Sequence, residues 1–359
     1  MVKSTVIAIT RNPSLARTLR TAMTAAGADV HIASSTAELD SGPLSAELLL
    51  FHWALEGDGS DGRGELELAI LAELADRLPP GGRVIVLLPR GDLATTVAAM
   101  GSHERVAGVM VADRLRVAEL TAVTTRLLNG DIFGLDKVLP WGARVHSLLV
   151  GDYAEKAEAV RRISSFAAAV GLRRYHRERI ERCCDEMIMN ALYDAPASAA
   201  SEPLAGVFLA PGPANAPPWD EDDDAGAAAE RRDPPPVPPR QAPRGSARSL
   251  PPEDRAVVEF GCDGQHFAVA VRDRFGRFER ETLLQYLHKC LYSDQQIDDK
   301  PGGAGLGLYL ISRSATSVLF NLLPGAATEC ICIFDIETPT VELEQIGRAS
   351  CRERVFITV

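Results

Sequence analysis

From residue 4 to 128 the chain alternates short, almost wholly apolar runs with stretches whose apolar positions recur at helical spacing. Val6-Ile7-Ala8-Ile9 predicts a first strand. Asn12-Pro13-Ser14 then opens a helix from Leu15 to Ala26, which Gly27 closes as a glycine just past a helix end does. Asp29 to Ala33 and Glu47 to Phe51 predict the next two strands, and Leu66 to Leu78 a helix that stops at Pro79-Pro80-Gly81-Gly82. Arg83–Leu88 reads as a fourth strand, Leu93–Met100 as a helix, Val106–Ala112 as a fifth strand and Val117–Leu128 as a last helix. Apolar strands alternating five-fold with helices predict a doubly wound parallel sheet, buried on both faces, over 1–128.

Residues 129–144, with Gly130, Gly134, Pro140 and Gly142, read as a connector. A second unit over 145–345 begins with a strand at Val145–Val150, followed by helices over Glu155–Val170 and Tyr175–Leu192. Ile180, Cys183, Met187 and Ile188 form the apolar face of the second helix. Further on, Val257–Gly261 and His266–Arg272 predict a hairpin around Cys262-Asp263-Gly264-Gln265. Helices are expected at Thr282–Tyr292 and Leu306–Val318, around a polar, glycine-rich stretch at 293–303, and a closing strand at Glu329–Ile336.

Composition interrupts this pattern once. Residues 196–252 hold 14 of the 23 prolines and the acidic run Asp220-Glu221-Asp222-Asp223-Asp224, so they read as a disordered or polyproline insertion. A second anomaly lies at the end. Residues 346–355, Ile-Gly-Arg-Ala-Ser-Cys-Arg-Glu-Arg-Val, resemble the in-frame translation of a common DNA-sequencing adapter. On that reading 346–359 is set aside from the fold and the native C-terminus is missing, although the adapter does not explain Phe356-Ile357-Thr358-Val359.

The net charge of −11 argues against nucleic acid or an anionic membrane as partner. Seven scattered cysteines without zinc-like spacing read as reduced thiols. Neither a signal peptide nor an apolar run of about 18 residues is evident, so a cytoplasmic location is expected.

The first unit resembles the receiver domain of response regulators. That resemblance implies two carboxylates after the first strand and an aspartate ending the third, which together hold Mg²⁺ and accept a phosphoryl group. Aligning on Pro13 puts Thr10 and Arg11 at the carboxylate positions and His52 at the acceptor position. Leu88 and Ala112 or Asp113 stand where a hydroxyl residue and a lysine are usual. The expectation is a pseudo-receiver that is not phosphorylated on aspartate.

Three ordered motifs mark the second unit. Glu186-Met187-Ile188-Met189-Asn190 is an E-x-x-x-N set whose polar ends share a helix face. Asp273-Arg274-Phe275-Gly276 follows a strand, where a carboxylate beside a glycine can meet an adenine amino group. Gly303-Ala304-Gly305-Leu306-Gly307 opens a helix, where backbone N–H groups and the helix dipole favour phosphate.

In this order the motifs resemble the gyrase, heat-shock-chaperone, histidine-kinase and mismatch-repair ATPase superfamily (the Bergerat fold), most closely the anti-sigma-factor-type serine kinases. The resemblance implies an α/β two-layer sandwich with a mixed sheet, and ATP and Mg²⁺ as cofactors. It makes Glu186 the general base, Asn190 the metal ligand, and Asp273 and Gly276 the adenine-side residues. It makes Gly303, Gly305 and Gly307 the phosphate-contacting glycines of a lid. The chain departs from the family at the first glycine box, where Phe275 and Arg277 hold glycine positions unless the register uses Gly276. No phosphoacceptor histidine box precedes the domain, and His176 lacks its context, so histidine autokinase activity is not expected. The expected function is an ATP-dependent serine/threonine kinase acting on a protein partner such as an anti-anti-sigma-like protein, with a homodimer left open. The alternative is a non-catalytic nucleotide-sensing scaffold with a docking pseudo-receiver.

Overall fold

The computed structural model describes residues 3–39, 41–53, 63–89, 93–140, 142–194, 249–292, 304–336 and 355–358. The insertion expected at 196–252 lies almost wholly outside them, as do 293–303 and 337–354.

The first sheet is parallel throughout, in the order β2-β1-β3-β4-β5. Its strands are β1 (Thr5–Ile9), β2 (Asp29–Ala33), β3 (Leu48–His52), β4 (Arg83–Leu88) and β5 (Val106–Val111). Its helices are α1 (Pro13–Ala25), α2 (Arg63–Asp76), α3 (Leu93–Gly101) and α4 (Val117–Asn129). Strand alternation divides the core in two. Ile7, Ile9, Leu49, Phe51, Val84 and Val86 pack with Leu71 and Leu74 of α2 and Val97 and Met100 of α3. Val6, Ala8, Leu48, Leu50, Ile85 and Leu87 pack with Leu15 and Leu19 of α1 and Leu120 and Leu127 of α4. The start of α1 follows its sequence, since Asn12 Oδ1 accepts from Ser14 N at 2.9 Å and Leu15 N at 3.1 Å, with Pro13 in the first turn.

The five-fold alternation fails at one place. Among the described residues, β2 and β3 are joined only by a 3₁₀ turn, Thr36–Glu38. The segment between them has two leucines and a Gly42-Pro43 break, too little to make an amphipathic face. Without a helix over it, β2 leaves Asp29 and His31 exposed.

The second sheet has the order β11-β9-β10-β8-β7-β6. Strands β6 (Val145–Val150), β7 (Ala256–Cys262), β8 (His266–Asp273), β10 (Ala327–Asp335) and β9 (Ser317–Leu323) are antiparallel neighbours. On one face lie α5 (Tyr153–Ala169), α6 (Arg174–Met189), α7 (Arg280–Tyr292) and α8 (Ala304–Ser314).

Strand β9 is not among the elements the sequence predicts, since the apolar spacing extends the preceding helix to Val318. Helix α8 instead ends at Ser314, and β-branched and aromatic residues from Ser317 onward pair with β10 through the Pro324-Gly325 turn. A further difference concerns the tail set aside above. Val355–Thr358 forms β11, parallel to β9. A short β-rich run is enough to pair with an open strand edge.

The connector is not a spacer. Ile132, Leu135 and Leu139 are buried, and Leu135 and Leu139 pack with Leu127 of α4 against Ala268, Ala270, Leu319 and Ile331. Those four residues lie on the sheet face opposite Cys332, which meets Met187 of α6. The second sheet is therefore covered on both faces, by its own helices on one and by the connector and the end of α4 on the other.

A polar chain crosses this contact. Arg126 Nη2 of α4 donates to Ile132 O at 2.6 Å and to Asn321 Oδ1 of β9 at 2.9 Å. Asn321 Nδ2 donates to Glu329 Oε2 of β10 at 2.7 Å, and the Glu329 carboxylate accepts Gly134 N at 3.1 Å. Arg126, Asn321 and Glu329 are all buried. Burial pushes the Glu329 carboxyl above its usual range, against the pull of Asn321, the Gly134 amide and Arg272.

Candidate functional site

Helix α6 buries Ile180, Cys183, Cys184, Met187 and Ile188 along one stripe, which leaves Glu186 and Asn190 on a neighbouring face. Asp335, at the end of β10, exerts its charge on His176 near the start of α6, while Met187 Sδ lies 3.6 Å from Cys332 Sγ further back along the strand. The helix thus runs antiparallel to β10, toward the end of the sheet where β8 finishes at Asp273. Cys332 pairs with Val269 and Thr328 with Asp273, so Asp273 lies four rungs, or about 13 Å, beyond the Met187 contact.

At Asn190 the last turn widens into a π-helical turn, Asn190–Asp194. Such wide turns occur frequently at functional sites.

Gly307 of α8 approaches this face closely. A Cβ at Gly307 would stand 2.6 Å from Glu186 Oε2 and 4.0 Å from Asn190 Nδ2. The structure thus brings Glu186, Asn190 and Gly307 together. Gly305 lies in the first turn of α8, and Gly303 lies outside the described residues.

Asp273 ends β8 and is buried. Its Oδ1 accepts Phe275 N at 2.8 Å and Gly276 N at 3.1 Å, an Asx turn that satisfies two amides. Burial raises its carboxyl above the usual range, and those two amides pull the other way.

Gly276 has φ +57°, and a Cβ there would meet Leu323 O at 2.4 Å, Ala326 N at 2.5 Å and Ala327 N at 2.7 Å. The backbone that approaches Gly276 so closely is the β9–β10 turn, which also donates Gly325 N to Gly276 O at 2.9 Å. These neighbours are main chain and cannot swing aside. Gly276→Ala is therefore expected to lower stability by about 1–3 kcal/mol, read from urea unfolding. An unchanged midpoint would show that the turn tolerates a side chain. Phe275 is half-buried and Arg277 exposed.

At the carboxyl end of the first sheet, Thr10 Oγ1 and His52 Nδ1 lie 3.0 Å apart. Burial lowers the His52 pKa, opposed by the charge of Asp113. Arg11 is exposed and Leu88 buried. The pair Thr10–His52 thus occupies the β1/β3 crevice where the strand order reverses, and neither residue is a carboxylate. Among the described residues no group of three His, Cys, Asp or Glu side chains is placed to hold a metal ion.

Several buried polar residues belong to no sequence motif. Lys156 of α5 is 2% exposed, pairs with Asp185 Oδ1 at 2.5 Å and lies over the Tyr153 ring. It shares the stripe of Ala159, Ile163 and Ala167, so a charge at an apolar helix position was the available signal. Glu329 and Asn321 interrupt apolar strands in the same manner, and Arg126 interrupts the apolar end of α4.

Strand order and the helices on both faces define the first domain as a doubly wound α/β unit of flavodoxin-like order, the order of receiver domains. The second is an α/β unit on a mostly antiparallel sheet. No family model matches the chain, and no curated protein does either. Among solved structures, a response regulator from Thermotoga maritima is 14% identical, with 36% of this chain covering 99% of that one at a TM-score of 0.29. A CheY-like receiver domain protein from Methanospirillum hungatei JF-1 is 14% identical, over 37% of this chain and 100% of its own, at 0.28. DrrB, an OmpR/PhoB homolog from Thermotoga maritima, is 12% identical over 54% of this chain and 91% of its own, at 0.30. The first domain's class rests on its own strand order. Among the described residues no helix is long and apolar enough to cross a membrane.

Proposed function

We propose that the second domain binds Mg²⁺-ATP in the manner of the histidine-kinase-like ATPases. On this reading the chain is a cytoplasmic serine/threonine kinase of the anti-sigma-factor type, acting on a protein partner. The convergence of Glu186 and Asn190 on Gly307 carries the reading. Two motifs 117 positions apart in sequence meet there, so closely that a side chain at Gly307 would displace the Glu186 carboxylate.

The donor set suits the cofactors. A hard cation takes oxygen ligands and keeps several waters, so one side-chain oxygen from Asn190 besides phosphate oxygens is a sufficient protein share. Glu186 would accept the proton of an attacking hydroxyl, the general-base role. Amides at the start of α8 would face phosphate. Bound ATP supplies the transferable phosphoryl group, while the chain's own groups position and neutralise.

A second reading, a nucleotide-sensing scaffold without turnover, is favoured by one observation. The Asp273 carboxylate already serves the amides of Phe275 and Gly276, which competes with adenine recognition.

Calorimetric titration with Mg²⁺-ATP, followed by labelled phosphate transfer to proteins retained from a lysate, separates the two. Saturable binding with transfer supports the kinase. Binding without transfer or hydrolysis supports the scaffold. A chain indifferent to millimolar Mg²⁺-ATP refutes both.

A further inference from the structure

Arg280 is the first residue of α7, yet its guanidinium turns away from that helix. Its guanidinium reaches across to the first domain. There it donates to the carbonyls of Met100 and Glu104, and to His103 O at 3.0 Å.

Met100 lies in the last turn of α3, where helix carbonyls lack a partner within the helix and the dipole is negative; His103 and Glu104 follow just beyond it, and His103 O also accepts Val106 N. A cation at the amino end of its own helix is unfavourably placed, so α3 accounts for the arginine better than α7 does. Arg280 is 7% exposed, and its placement ties α7 to the first domain through three carbonyls at once.

Helix α7 reaches the candidate site through α8. It packs against α8, and its Leu283 and Leu287 share a core with Leu308 and Ile311 of α8, the helix that begins beside Glu186. The chain of contact therefore runs from the α3–β5 turn, through Arg280 and α7, to Gly307.

We propose that Arg280 is a positioning residue, the strut by which the receiver-like domain sets α7 and α8 and so couples its α3–β5 turn to the nucleotide site. The proposal rests on the nucleotide-binding reading and adds its control element. Coupling of this kind is reciprocal: whatever binding at α8 does to the α3–β5 turn, a ligand at that turn does to nucleotide affinity. The first domain then acts within the chain, and its α3 end is occupied by α7 rather than offered to a partner.

Hydrogen exchange of the full chain, with and without saturating Mg²⁺-ATP, tests this. In the wild type, nucleotide is expected to slow exchange in α8, and by about fivefold in residues 98–106 as well. In Arg280→Ala the α8 effect stays and the effect at 98–106 is lost. Arg280→Lys keeps the charge without the planar fork and is expected to fall between.

Protection at 98–106 that survives in Arg280→Ala overturns the proposal. So does a wild type in which α8 responds and 98–106 does not, a result that needs no variant to fold. A wild type whose α8 ignores Mg²⁺-ATP refutes the nucleotide reading itself, an outcome distinct from the other two.

Discussion

Replacing Arg126 with methionine is expected to destabilise the chain by about 1–3 kcal/mol at neutral pH, the cost of leaving buried acceptors without their charged donor. The side chain links α4 to Asn321 and, through it, to Glu329, which is 1% exposed. Methionine fills much of the volume but removes a positive charge that Glu329 attracts, and leaves Asn321 Oδ1 and Ile132 O without their donor. Urea unfolding measures the loss, and a midpoint within error of wild type would mean that the network contributes nothing.

The deficit should depend on pH with a definite sign. Glu329 already has a folded pKa above its ordinary 4.5, because burial disfavours the anion. A carboxyl raised in the folded state holds its proton more tightly there than in the unfolded chain. Its ionisation therefore removes stability as pH rises from about 4.5 through the folded value. Without Arg126 that value rises further. The variant should lie nearest wild type below about pH 4.5 and fall away above it. Adding Glu329→Gln should recover part of the loss, since a neutral amide is cheaper to bury than an unpaired anion.

This network also marks where the sequence stopped being readable. The strands of the first domain announced themselves, because a residue buried on both faces must be apolar and Leu48–Phe51 or Val84–Leu88 cannot be much else. Helix α6 was equally plain from Ile180, Cys183, Met187 and Ile188. Strand β9 was lost because Ser317–Leu323 follows an apolar helix after two residues, and a short apolar run has no period that separates strand from helix. The contact between the domains was hidden for a different reason. It is made by a connector whose glycines suggested a linker, and by single polar residues whose partners are distant in sequence. Arg126 and Asn321 stand 195 positions apart. Of the candidate site, the face shared by Glu186 and Asn190 followed from helical spacing. Its closure by Gly307 did not, since no local pattern states which helices touch. Asp273 was legible as a turn, and a turn is what its hydrogen bonds make.

Glu186→Gln is expected to leave Mg²⁺-ATP affinity within a few-fold of wild type and to lower phosphate transfer by about 10²–10⁴-fold, the usual range for losing a general base. Gly307→Ala should reproduce most of that loss without touching the carboxylate chemically. The new methyl would stand 2.6 Å from Glu186 Oε2, so one of them must move. Oε2 is the far end of a flexible side chain, whereas the Gly307 backbone belongs to a helix packed on its neighbours. The carboxylate is therefore what gives, and the fold survives. Alanine within a helix even regains about 0.5–1 kcal/mol over glycine, which offsets the strain of the shift. The variant should unfold near the wild-type midpoint, bind nucleotide and transfer phosphate at least about tenfold more slowly. A Gly307→Ala chain with full transfer would show that the carboxylate can leave this position without consequence, and Glu186 would then be a packing residue of the α6–α8 contact rather than a base. A chain that loses transfer only together with its fold would point the same way. Loss of transfer with binding and stability kept is the one result that ties this carboxylate, in this position, to chemistry.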